Sequence, residues 1–359
     1  MQRMINFAVG PVEEFEETLL IGGERTPYFR TAEFSEIMLE NERLILEFAG
    51  AEEGARAVFL TGSGTAGMEA AVINVLGKDD RVLVINGGSF GTRFCQICEV
   101  HGISHDEVKL ESGRQVRVAD LEPFEGKGYT ALLVNKHETS TGVLYDMDLL
   151  GQFCRRSGML LVVDNISSFL ADEFDMASLG ADVMIAGSQK ALACAPGVSV
   201  VVLGPQALAR VERNRSRTFY LDLKAALADG TRGQTPFTPA VGTLRQIHAR
   251  LKSIAAAGGA ASEVSRTRAL AEDFRKRIRG LPLEVASEAP SNAATPLHPT
   301  NGQSAFSIFE ELKDRHGIWI CPNGGPLRDK IFRVGHMGAL TTSDNEALVA
   351  ALETVMRRA

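Results

Sequence analysis

Three short segments carry residue types suited to chemistry, and each lies just past a run of apolar or β-branched residues. The first is Thr61-Gly62-Ser63-Gly64-Thr65-Ala66-Gly67, between a strand-like and a helix-like stretch. Such a loop can point several backbone N–H groups at an anion near the positive end of the following helix, so it reads as a phosphate cradle. Gly62, Gly64 and Gly67 also satisfy the dinucleotide pattern G-x-G-x-x-G. That reading wants an acidic residue about 20 positions on, where this chain has Asn86-Gly87-Gly88. A plain tight turn that uses glycine for its backbone freedom is the third option.

The second segment is Asp164, which closes the apolar run 159–163 and precedes Asn165-Ile166-Ser167-Ser168. Ligands of open α/β sheets bind beyond the carboxyl ends of the strands, so an acid there faces a site; it could equally cap a helix. The third is Lys190, in Ala186-Gly187-Ser188-Gln189-Lys190-Ala191-Leu192. A lysine desolvated among small and apolar neighbours keeps a neutral amine able to condense with an aldehyde, whereas a surface lysine would do nothing of the kind. A phosphate cradle, an acid and an amine together match the phosphate, pyridine nitrogen and aldehyde of pyridoxal phosphate. The acid would keep the ring nitrogen protonated, so that the ring can accept electrons from a bond breaking at the substrate α-carbon. A dinucleotide accounts only for the first segment.

The elements that position these residues follow from patterning. Short β-branched runs at 57–61, 81–86, 130–135, 159–164, 182–188 and 199–203 alternate with helix-compatible stretches, which predicts an α/β fold with a mostly parallel sheet. Leu160-Leu161-Val162-Val163 is apolar at every position, as expected of a strand covered on both faces. Helical periodicity marks 67–76, 148–156 and 244–257, the last ending at Gly258-Gly259. Beyond it, the pattern predicts a helix over 263–279, a polar loop over 287–301, a helix over 304–316, a strand at 331–334 and a terminal helix from 344. The expected organisation is an amino-terminal arm (1–20), a large domain (21–257) with a mostly parallel central sheet, and a smaller carboxyl-terminal α+β domain (258–359).

Composition narrows the function classes. The chain has 359 residues, 45% of them hydrophobic, enough for a large core. With 38 Lys and Arg against 45 Asp and Glu it offers no basic run for a nucleic acid backbone, and no apolar run of about 18 residues for a membrane. Five scattered cysteines, an odd number, argue for a reducing compartment, hence a cytoplasmic location. Cys95-Gln96-Ile97-Cys98 has the spacing of thioredoxin chemistry or half a zinc site but lacks a second ligand pair, so it reads as core packing and no metal is expected.

Taken as motifs in order, Gly62-Ser63-Gly64-Thr65 through Glu69-Ala70, His137-Glu138-Thr139-Ser140-Thr141-Gly142, Asp164 with Ser167-Ser168, Gly187-Ser188-Gln189-Lys190, and Phe332-Arg333-Val334-Gly335 resemble the class V aminotransferases of pyridoxal-phosphate fold type I. The likeness is to the branch holding alanine or serine glyoxylate and 2-aminoethylphosphonate pyruvate aminotransferases, and it spans nearly the whole chain. It implies that Lys190 is the Schiff-base lysine and proton shuttle and that Asp164 partners the pyridine nitrogen. Ser63, Gly64, Thr65 and Gln189 would hold the phosphate, Phe90 would stack on the ring, Thr139 would approach its hydroxyl oxygen and Ile166 its other face. Arg333 would bind the substrate carboxylate. Thr235-Pro236-Phe237-Thr238-Pro239 resembles the segment that reaches the neighbouring subunit's phosphate, which makes Thr238 a contact across a homodimer with shared active sites.

The resemblance thus implies transfer of nitrogen from a small amino acid or aminophosphonate donor to a small 2-oxo acid. It departs from the family in Val9-Gly10-Pro11, where Pro-Gly-Pro is usual, and near Thr235, where a tyrosine is frequent. A lyase or a cysteine desulfurase uses the same cofactor. Cys321 raises the second of these, although desulfurases carry His where this chain has Gln189. A cofactor-binding scaffold without turnover is the third reading. Tyr28, Phe29, Arg30, His336 and Met337 fall around the expected mouth, and the sequence does not say whether Arg30 or His336 meets the substrate.

Overall fold

The computed structural model describes residues 4–357. Residues 1–3 of the expected arm and 358–359 of the expected small domain lie outside the described residues. The β-branched runs form a seven-stranded sheet. Its strands are β1 (Arg56–Thr61), β2 (Arg81–Asn86), β3 (Ser104–Lys109), β4 (Ala131–Asn135), β5 (Leu160–Asp164), β6 (Val183–Gly187) and β7 (Val198–Leu203). The spatial order is β1-β7-β6-β5-β4-β2-β3, and only β7 runs antiparallel to its neighbours.

The uninterrupted apolar strands have the cause expected of them. In β5, Leu161 and Val163 enter one hydrophobic cluster while Leu160 and Val162 enter another on the opposite face. The first face is covered by α1 (Ala32–Phe48) and α4 (Val241–Ala256), the second by α2 (Gly64–Val75) and α3 (Ser89–Val100). Helix α2 starts at Gly64, earlier than periodicity predicts, so the glycine loop supplies its first turn.

Patterning assigns nothing to α1. There Thr31 accepts the Phe34 N–H as a cap, and Phe34, Met38, Leu44, Ile45 and Phe48 form the buried stripe. It also misses β3, whose sequence Ser-His-Asp-Glu-Val-Lys is polar because the strand lies at the sheet edge.

The second sheet has the order β8 (Leu283–Val285), β9 (Ala294–Pro299), β11 (Phe332–Gly335) and β10 (Cys321–Pro322). The expected polar loop over 287–301 is corrected here, because β9 is an internal strand. Its buried Thr295 and Leu297 face α5 (Ala260–Arg277), α6 (Ala305–His316) and α7 (Thr342–Met356), whereas Ala294 on the other face joins the core of the large sheet. Proline and polar residues hide this strand from pattern reading, and tertiary pairing overrides them. Near the amino terminus, Ile5 and Asn6 pair with Ile318 and Trp319, and Phe7 joins the core of this smaller sheet. No helix of the described residues is long and apolar enough to cross a membrane.

Candidate active site

Most of the predicted residues gather at the carboxyl ends of β1, β2, β4, β5 and β6, where parallel strands deliver their loops to one crevice, and Arg333 reaches it from β11. Asp164 ends β5 and is buried. Its Oδ2 accepts from Asn135 Nδ2 at 2.5 Å and its Oδ1 from the Ile166 N–H at 2.8 Å. Burial raises its pKa to about 6, with these two bonds opposing. The carboxylate is therefore largely ionised at neutral pH, inside a low-dielectric site where Lys190 favours the charge and no cation among the described residues forms an ion pair with it.

Lys190 follows β6, and its Nζ donates to the Val9 carbonyl at 2.5 Å. Burial lowers its pKa to about 8; Arg333 pushes the same way, against Cys321 and Asp164. The amine thus keeps a sizeable neutral fraction near neutrality. The arm crosses it so closely that a Cβ on Gly10 would lie 2.6 Å from Lys190 Cδ, and Gly10 has a φ of +124°. Glycine is the residue that fits both constraints.

On the other side of the crevice, Ser63 flanks α2 without a side-chain cap, so first-turn N–H groups of a twelve-residue helix are left for a ligand. Gly64 is as constrained as Gly10, since a Cβ there would lie 2.5 Å from Ile166 Cδ1. Gly187 stands against Gln189 and the same Ile166, so Gly64, Ile166 and Gln189 share one wall. Phe90 starts α3, and its N–H together with that of Gly91 donates to the buried Glu138 carboxylate at 3.0 and 2.9 Å. A carboxylate at a helix amino terminus is well placed electrostatically.

Thr139 Oγ1 lies 2.7 Å from Ser167 Oγ, which in turn is 3.0 Å from His137 Nδ1. Arg333, on β11, is buried; its Nη1 donates to the Thr139 carbonyl at 2.9 Å and its Nη2 to that of Pro322 at 2.7 Å. Its Nε, His137 Nε2 and Gln189 Oε1 are buried without a partner among the described residues. Unpartnered buried polar atoms are costly, and three of them around one lysine mark a place built for a polar ligand.

Of the predicted residues, Ser63, Gly64, Thr65, Phe90, Thr139, Asp164, Ile166, Gln189, Lys190 and Arg333 all line or flank this crevice. Thr238 does not: it is exposed, on a segment whose Phe237 stacks against Tyr220 at 5.3 Å. Arg30 is occupied elsewhere, holding Gln234 and the Thr235 carbonyl. His336 is buried in the smaller sheet, bonded to Thr295 and packed on Phe274.

Two residues of the crevice escape sequence reasoning, and a third, Cys321, enters it only as a desulfurase candidate. His137 is driven down to about 3 by burial, with Lys190 and Arg333 adding to the effect, so it stays neutral. Arg93 stacks over Phe90 at 4.6 Å and donates to Thr65 Oγ1 at 3.2 Å. Cys321 pairs with Arg333 across the sheet and acts electrostatically on Lys190. His137 sits inside a quoted motif and could have been found; the other two arrive through long-range packing. A cavity of about 710 Å³ lies elsewhere and is lined by Lys136, Asp172 and Phe174 among others. There Lys136 Nζ is bound to the Asp172 and Glu173 carbonyls.

Residues 13–319 match the model of the family described as aminotransferase class V. A curated relative, the soluble hydrogenase small subunit of Synechococcus sp. (strain PCC 6716), is 31% identical over 97% of this chain and 91% of its own length. The 2-aminoethylphosphonate–pyruvate transaminase of Salmonella paratyphi B is 29% identical over 87% of this chain and 86% of its own. Among solved structures, an aspartate aminotransferase of subgroup IV from Thermus thermophilus superposes with a TM-score of 0.91 at 28% identity, covering 98% of this chain and 99% of that one.

Proposed function

The chain belongs to the class V aminotransferases, pyridoxal-phosphate enzymes of fold type I, and we propose that it moves an amino group from a small donor, an amino acid or aminophosphonate, to a small 2-oxo acid of the pyruvate or glyoxylate type. The observation that carries this reading is the convergence of Lys190, Asp164 and Arg333 on one crevice that also holds three unpartnered buried polar atoms.

The donor set fits the cofactor. The uncapped first turn of α2, with Ser63, Gly64, Thr65 and Gln189, offers donors for a phosphate. Asp164, ionised yet buried, suits a protonated ring nitrogen. Phe90 and Ile166 offer the two faces between which a ring can lie, and Thr139 a hydroxyl for its oxygen substituent. When bound, pyridoxal phosphate supplies an aldehyde that condenses with amines and a ring that accepts electrons released at the substrate α-carbon.

The protein's own groups do the rest. Lys190 Nζ, poised near neutrality by burial, takes the α-proton and returns it. Asp164 holds a proton on the ring nitrogen throughout. Arg333, its two Nη groups fixed by carbonyls, presents a guanidinium to the substrate carboxylate and so orients the α-carbon. His137, neutral, adds no competing charge beside Lys190.

Two further elements belong to this reading. The division into a large domain and a domain over 258–359 is supported by Gly258 and Gly259, whose φ values of +109° and +77° break the path between α4 and α5. It is supported too by the separate hydrophobic core around the second sheet. A homodimer is supported by Phe219 and Tyr220, exposed beside the Thr238 segment. Desulfuration is disfavoured because Cys321 is fixed in a strand against Arg333 instead of riding a mobile loop. The test is a screen of alanine, serine, aspartate and 2-aminoethylphosphonate against pyruvate and glyoxylate, with products identified. Stoichiometric amino transfer supports the proposal; ammonia or sulfur release without any acceptor overturns it.

A further inference from the structure

Cys95-Gln96-Ile97-Cys98 plays no part in the amino-transfer chemistry, and the structure separates its two thiols. Cys98 is fully buried in the core beneath α3. Cys95, one turn earlier, meets the edge strand β3, where His105 and Glu107 stand two residues apart and therefore on one face. In the register these pair with Val82 and Val84, which share a hydrophobic cluster with Cys95, so that face is the one α3 covers. One ligand atom each from Cys95, His105 and Glu107 lies within 4.8 Å of the others. We propose that these three side chains bind a divalent transition-metal ion of the zinc class, with water in the fourth position.

The donors are a thiol sulfur, an imidazole nitrogen and a carboxylate oxygen, a set that suits zinc and excludes magnesium or calcium. Around a tetrahedral ion with bonds of about 2.0–2.3 Å, donor atoms stand roughly 3.3–3.6 Å apart. Closure therefore takes a movement on the order of 1 Å, available to side chains at a sheet edge. The His105 ring has no hydrogen-bond partner among the described residues, so binding breaks no bond there. Glu107 is already oriented, since Asn86 Nδ2 donates to its Oε2 at 2.6 Å and Asn86 is itself held by Thr92. Such outer partners aim metal ligands.

The same Asn86 Nδ2 reaches Cys95 Sγ at 4.0 Å, so one amide touches two of the three ligands. Lys109 Nζ, 3.7 Å from Glu107 and mostly exposed, is free to swing into solvent. His105 and Glu107 are half-buried, which leaves a route for entry. Filling the site would tie the edge strand to α3, the helix that carries Phe90 and Arg93 on its first turns.

The test uses the holoenzyme after chelator treatment. Zinc is added and bound ion counted after dialysis, and cadmium serves as a spectroscopic probe through its thiolate charge-transfer band. The expected result is one ion per chain with the cadmium band, both lost in Cys95→Ser and both kept in Cys321→Ser. Affinity should fall at least about tenfold in His105→Ala. His105 is half-buried, so that variant carries the test should Cys95→Ser fail to fold. Failure to retain zinc, binding without the band, or binding of equal strength in His105→Ala would overturn the proposal.

Discussion

The Asp164→Asn substitution should reverse its effect on stability according to whether the cofactor is bound. In the folded chain burial raises the carboxyl from 3.8 to about 6. Between those values the native state holds a proton that the unfolded state has released, so stability falls as pH rises from about 4 to 6, and the full cost persists above. A shift of about two units corresponds to about 3 kcal/mol. Replacing the acid removes that cost without leaving a broken bond. The buried Asn135 Oδ1 has no partner among the described residues, so a turned Asn135 amide can accept from the new one.

Denaturant titration of the cofactor-free protein should therefore show Asp164→Asn more stable than wild type by up to about 3 kcal/mol above pH 6, with the advantage vanishing near pH 4. In cofactor-loaded protein the order inverts, because wild type gains a charge partner for Asp164 that the variant cannot supply. An advantage that does not change with pH, or a variant that keeps the cofactor as well as wild type, would refute the assignment of Asp164 as a buried charge maintained for the ring nitrogen.

Arg333→Met should leave the cofactor spectrum intact and lower kcat/KM for carboxylate substrates by roughly 10- to 100-fold, the worth of a hydrogen bond to a charged group at about 1.5–3 kcal/mol. An equal loss with amines lacking a carboxylate would contradict that role. Gly64→Ala places a Cβ 2.5 Å from Ile166 Cδ1, so cofactor retention should weaken at a cost of about 1–3 kcal/mol. Adding Ile166→Val, which removes Cδ1, should recover part of it; dialysis followed by cofactor assay decides, and unchanged retention in the single variant would sink the argument.

The sheet was legible wherever burial is two-sided, as in Leu160-Leu161-Val162-Val163, because branched aliphatic residues at every position suit a short strand covered on both faces. It was illegible at β3 and β9. The first is polar because it is an edge, and the second carries Pro296 and Thr295 into a buried internal position that only pairing with Arg333 and Val334 explains. Site residues on strand-to-loop transitions, Lys190, Asp164 and Gly64 above all, could be read from local context. Arg93, the place of Cys321 against Arg333 and the Val9 carbonyl could not. They reach the crevice through a helix face, a second sheet and the amino-terminal arm, and sequence spacing carries no record of those distances. For the same reason Cys95 read as core packing until β3 brought His105 and Glu107 beside it.

The central claim is that the amine of Lys190 bonds to the cofactor aldehyde. Borohydride reduction of active, cofactor-loaded protein, followed by proteolysis and peptide mass mapping, tests it directly. The account predicts a stable pyridoxyl adduct on the peptide containing Gly187-Ser188-Gln189-Lys190, with loss of turnover in proportion to labelling. An adduct on another lysine, or full activity with Lys190 unlabelled, would contradict it.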